Sequence, residues 1–187
     1  EFLVYCLHGA VSAARRLAFL CTLSCGVRYQ RRSFSEEAGI VTYVYSVDEL
    51  EEICLWLTEE VNSIAGMVER DADGVMKLSA PEGAGAVGAM QSLAEQFAEL
   101  DGYYPAPKEI MVSEILSYQG LTGIYSPFTV EANYNGDMTA YNIPFTACHE
   151  LSHLRGFMQE EEANFIGFLA CTGSERVDFR YSGYLSG

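Results

Sequence analysis

Basic residues are scarce in this 187-residue chain, as are histidines, closely paired cysteines and long uncharged runs. Each scarcity removes a class of function. Eleven Lys and Arg stand against 26 Asp and Glu, a formal net charge of −15. Five of the eleven (Arg15, Arg16, Arg28, Arg31 and Arg32) fall within residues 1–32, where Glu1 is the lone acid, so the remainder sets six bases against twenty-five acids. Such a body repels phosphate backbones, which excludes nucleic acid as a partner and disfavours strongly acidic substrates at low salt. Six cysteines occur without a Cys-x-x-Cys pair, so neither a disulfide scaffold nor a cysteine-rich structural zinc site is supported. Cys21 and Cys25, one helical turn apart, could share a metal but suit small buried hydrophobes better. The opening stretch "EFLVYCLHGAVSAARRLAFLCTLSCGVRYQRR" is split by Arg15 and Arg16 into runs too short to cross about 30 Å of hydrocarbon. Its acidic start and late basic residues also fit a signal peptide poorly.

What is present describes a globular protein: 49% hydrophobic and 20% charged residues, with enough chain for one sizeable core. The expected organisation is an apolar and basic segment over 1–32 and one catalytic domain over 33–187. The first reads as membrane-associated or a truncated span, with an amphipathic or core helix as the plainer alternative. Over 46–66, Leu50, Ile53, Leu57 and Val61 recur at three- and four-residue steps, with Ser46 or Asp48 as cap and Gly66 as stop, which predicts an amphipathic helix. Residues 72–88, rich in Gly and Pro, read as a loop, 89–100 as a helix, and 108–120 as a third helix. The β-branched and aromatic stretch 122–145 predicts a strand, a turn at "NGD" and a second strand leading into a helix. The fold class is therefore α+β, mostly helical, with a small sheet beside the helices that carry the chemistry.

That chemistry lies in "PFTACHELSHLRGFMQEEEANFIGFLAC", residues 144–171. His149 and His153 are four apart, which on a helix places both imidazoles on one face within reach of a single ion. Glu150 completes His-Glu-x-x-His. In zinc hydrolases with this pattern the glutamate is not a ligand but the general base toward the attacking water. Pro144 ahead of a Thr146 cap and Gly156 as stop frame the motif helix. Two of the chain's three histidines are used here, and His8 reads as structural. A catalytic zinc needs a third protein ligand. Gln159 stands where a metzincin would have its third histidine, so the ligand is sought among Glu160, Glu161 and Glu162. From Glu160 the next turns present Asn164, Gly167 and Cys171, a small face able to pack against the motif helix, whereas the other two head core-filling stripes. Glu160 is thus the expected third ligand, Asn164 the partner that orients a ligand from behind, and Glu161 and Glu162 suit the helix macrodipole.

Glu160-x-x-Ala163-Asn164 is similar to the element with which gluzincin peptidases, thermolysin among them, supply a third ligand from a second helix. The stretches "SYQGLTGIYSPFTVEANYN", "PFTACHELSHLRGF", "EEEANFIGFLAC" and "FRYSGYL" resemble, in order, a bacterial family of membrane-associated zinc peptidases known as domain of unknown function 3810. "CGVRYQRRSF" and "YSVDELEEI" resemble that family's segment after its membrane spans. The resemblance implies a zincin-like fold and a Zn2+ ion on His149, His153 and Glu160. It also implies proteolysis of a peptide or protein substrate with Glu150 as base, and a location at the bacterial cell membrane with the catalytic domain extracytoplasmic.

Further candidates carry less. Arg180, Tyr181 and Tyr184 could stabilise a developing oxyanion. "FTVEANYN" could line the cleft as the strand to which substrate backbone adds, with Glu131 and Asn133 facing it. Cys148 points about 100° away from His149. The competing readings are a zinc-binding regulatory or interaction domain without turnover, and a metal-free structural domain.

Overall fold

A computed structural model describes residues 2–79 and 81–187, and their side chains except at 2, 3, 24 and 25. The pairing considered for Cys21 and Cys25 thus lies outside the described residues. The first helix, α1 (Phe2–Cys21), exposes Val4, Leu7, Leu17 and Phe19. No described helix is long and apolar enough to cross a membrane. A π turn (Thr22–Gly26) and a 3-10 turn (Arg28–Gln30) lead to the short α2 (Phe34–Glu37), whose Phe34 is fully buried.

Helix α3 (Val47–Ile64) forms where the apolar spacing predicts. Its start is a capping box in which Ser46 and Glu49 satisfy each other's backbone N–H groups, so Ser46 rather than Asp48 is the cap. The expected apolar stripe is only partly covered, however. α3 has no buried residue, and Leu50 and Ile53 remain exposed.

Helix α4 (Glu82–Ala94) replaces much of the loop expected over 72–88, and only a 3-10 turn (Ala98–Leu100) remains of the end of the helix expected over 89–100. Small residues explain the displacement. Ala86, Ala89, Met90 and Leu93 are buried, and a side chain at Gly85 would lie 2.7 Å from the Phe179 ring. Tertiary burial outweighs the poor helix propensity of glycine here.

The helix expected over 108–120 splits into β1 (Lys108–Glu109) and α5 (Ser113–Gln119). Two more strands follow, β2 (Gly123–Ser126) and β3 (Glu131–Tyr134). The turn between them is made by residues 127–130, with Val130 at φ 56°, whereas "NGD" (135–137) lies beyond β3 and leads toward the next helix. The sheet order is β1-β3-β2, with β1 parallel and β2 antiparallel to β3. β3 is therefore central. "FTVEANYN" is thus not an edge strand, and the edges of the sheet are β1 and β2.

Three helices complete the α+β fold: α6 (Ile143–Leu154), α7 (Glu160–Thr172) and α8 (Val177–Ser186). Ten of the twelve residues of α6 are buried, because α4, α7, α8 and the sheet all pack on it. Its core-facing side chains include Ala147, Cys148 and Leu151, each fully buried; a leucine contributes about 1.5–3 kcal/mol in such a position. The motif helix is the centre of the molecule.

Candidate metal centre

Helix α6 begins one turn earlier than Thr146. Pro144 lies in its first turn, Thr146 is inside it, and the N–H of Phe145 donates to Ser182 Oγ of α8 at 3.0 Å. The cap therefore comes from a neighbouring helix rather than from Thr146. The far end closes as expected. Gly156, at φ +99°, turns the chain into the left-handed region, and the N–H groups of Gly156 and Phe157 donate back to the carbonyls of His153 and Ser152, the Schellman arrangement. That reversal has a second effect. It folds the Phe157 carbonyl back to His153 Nδ1, at 2.8 Å, which fixes the ring and leaves Nε2 for the site.

His149 is held the same way from the second helix. Asn164 Oδ1 lies 2.8 Å from His149 Nδ1, the orienting contact expected of Asn164. Close helix packing makes it possible: a side chain on Gly167, one turn further, would already sit 3.4 Å from the His149 backbone nitrogen. With both Nδ1 atoms engaged, both Nε2 atoms face Glu160, at 3.2 Å for His149 and 3.6 Å for His153. Ligands about 2.0–2.1 Å from one tetrahedral ion sit about 3.3 Å apart, so each imidazole stands at about that separation from a Glu160 carboxylate oxygen. Among the described residues, His149, His153 and Glu160 form the one cluster able to hold a metal. The other two glutamates separate cleanly. Glu162 accepts from the Ser35 backbone N–H and hydroxyl, which docks α2, and Glu161 faces an apolar groove beside Trp56.

Glu150 points into the cleft beneath this cluster. Its carboxyl is buried, and Oε2 has no hydrogen-bond partner. Burial, aided by the negative charge of Glu160, pushes its pKa up to about 8. Burial also lowers the pKa of His149, with His153 adding to the effect, so the imidazole is held neutral, the form that ligates metal. The cleft itself is an open volume of about 510 Å³ bordered by β2 and the segment before it, Met158, His149, His153 and Glu160. A family described as "Protein of unknown function (DUF3810)" matches residues 1–187. The chain belongs to that family. No curated protein and no solved structure matches it.

In this DUF3810 chain the remaining candidates lie elsewhere. Tyr184 packs against Trp56 and Phe168, Arg180 donates to the carbonyls of Ser174 and Glu175, and neither they nor Tyr181 border the cleft. α8 instead packs on α6 and caps its first turn through Ser182. On β3, Glu131 pairs with Lys108, and the Asn133 amide donates to the carbonyls of Ile124 and Glu131, so both serve the sheet. Cys148 is fully buried, as its helical position predicts.

The residue unforeseen from sequence is Tyr29, which borders the cleft. It sits in a strap pinned to the end of α6: Arg28 donates to the carbonyls of His153 and Leu154, and Arg31 donates to that of Arg155 while stacking on Phe157. Cations suit a helix C-terminus, where unpaired carbonyls carry partial negative charge. The chain thus packs against α6 from Arg28 onward.

Proposed function

We propose that this protein is a zincin-like zinc peptidase. The observation that carries the reading is the unpartnered, buried Glu150 oxygen beside three convergent ligand atoms. A structural zinc site closes with four protein ligands and has no use for a base, whereas a catalytic one has three and an open position. His149, His153 and Glu160 would hold the ion, with Asn164 and the Phe157 carbonyl fixing the rings. Zinc, when bound there, supplies the Lewis acid that acidifies water and polarises a carbonyl. Burial alone favours the protonated carboxyl of Glu150; with a cation beside it the ionised form is favoured, and Glu150 would then accept the proton of the attacking water at Oε2 and return it to the departing amine.

The free edge of β2 suits an extended peptide. Asn135 N–H donates to the Thr122 carbonyl, and with Ile124 opposite Asn133 the alternation turns the backbone groups of Gly123 and Tyr125 away from β3. They face the cleft and offer a ladder to a substrate strand. The exposed apolar side chains of α1 are consistent with attachment at a bacterial membrane, with the catalytic domain outside the cytoplasm. The test is zinc per chain together with hydrolysis of a casein-type protein substrate. Near-stoichiometric zinc, retained in Glu150→Gln while hydrolysis is lost, supports the proposal. Zinc without hydrolysis in the unaltered protein leaves a binding domain, and no zinc at all removes the reading.

A further inference from the structure

Glycine is a poor strand former, yet Gly123 opens β2 opposite Tyr134. A β-carbon built at Gly123 would stand 2.5 Å from Glu150 Oε1, 2.8 Å from Glu150 Cγ and 2.9 Å from the Asn133 carbonyl oxygen. None of these distances is tolerable for a real side chain. Nor has the backbone on either side freedom to move away. The Asn133 carbonyl belongs to the central strand, and Glu150 projects from a helix whose flanking Cys148, Leu151 and Ser152 are fully buried. The carboxylate, at the end of a side chain with rotatable bonds, is the group that would give way.

We infer that Gly123 is a positioning residue for Glu150: the side chain it lacks is the space that the carboxylate occupies. One wall of that space is the strand edge, so the sheet, not the helix alone, fixes where the base stands relative to His149, His153 and Glu160. This deepens the peptidase reading by adding a residue outside the His-Glu-x-x-His motif. It also explains why a glycine, in a strand with Ile124 and Tyr125, sits at the one position beside the carboxyl.

The test is a double-variant cycle on chelator-treated protein without substrate: the unaltered chain, Gly123→Ala, Glu150→Ala and the pair, each unfolded in urea. The midpoint should fall in Gly123→Ala, and at least half of that fall should vanish when Glu150 is also alanine, because the colliding group is gone. Equal falls in both backgrounds, or no fall in either, overturn the inference. Should Gly123→Ala not accumulate as folded protein, recovery of folded protein in the paired variant supports it, and continued failure overturns it. In zinc-loaded protein, Gly123→Ala should keep its zinc and lower hydrolysis at least tenfold. The cycle uses neither zinc nor turnover, so an inactive unaltered protein would defeat the peptidase reading while leaving the role of Gly123 to be decided by the urea midpoints.

Discussion

Replacing Glu150 by glutamine should stabilise the zinc-free protein at alkaline pH and leave it nearly unchanged in acid. Burial and the nearby Glu160 raise the Glu150 carboxyl from 4.5 to about 8. Between those values the folded chain carries a proton on Glu150 that the unfolded chain has released. The folded state then binds more protons than the unfolded one, so stability falls as pH rises through this window and levels off above it. At about 1.36 kcal/mol per pH unit, the span corresponds to a loss on the order of 5 kcal/mol by pH 8, a large share of the about 5–15 kcal/mol available to a domain. Glutamine keeps the shape and stays neutral throughout, so the difference between the two proteins isolates this group from the titration of His149 and Asp178. The assay is urea unfolding followed by circular dichroism in chelator at pH 5, 6, 7 and 8. The advantage of Glu150→Gln should grow steadily across that series. A difference that is the same at pH 5 and pH 8 would refute the reasoning, because it would mean that the carboxyl is not desolvated in the folded state. Zinc should flatten the trend, since a cation beside Glu150 favours its ionised form.

Three further outcomes follow from the same geometry. Asn164→Ala should weaken zinc binding by about 10–100-fold, read by competition with a chromophoric chelator, while Glu161→Gln leaves it unchanged. Gly156→Ala places a β-carbon at φ +99° and should cost about 1–3 kcal/mol, measured by urea unfolding, with a loss of zinc affinity because the Phe157 carbonyl no longer meets His153. Arg28→Met should lower stability by about 1 kcal/mol through the uncapped carbonyls of α6, and the loss should shrink if high salt already weakens the pair in the unaltered protein.

The convergence of His149, His153 and Glu160 was legible in the sequence because the spacings behind it are local. Four-residue spacings decide which side chains share a helix face, so His149 with His153, and Glu160 with Asn164, could be paired before any fold was known. The Gly156 stop is local too, although nothing in the sequence said that its reversal would deliver a carbonyl to His153. Contacts made across long separations were invisible. Ser182 caps α6, Gly123 leaves room for Glu150, and Tyr29 enters the cleft, each across a distance that periodicity cannot span. α4 was misplaced for a related reason: its glycines read as a loop until Phe179 supplies the surface against which a backbone without side chains can pack. Tyr181 and Tyr184 suit an oxyanion role by their chemistry, whereas no residue of α8 borders the cleft.

The strap that holds the end of α6 has a consequence for the order in which the chain assembles. Arg28 and Arg31 reach carbonyls 124 to 126 positions later in the sequence. During synthesis the arginines emerge well before their acceptors, so the clasp closes only when the motif helix is complete. Closing so long a loop costs little more than closing one half its length, but it must wait. Until then Tyr29, which borders the cleft, lacks the anchors that Arg28 and Arg31 make on α6.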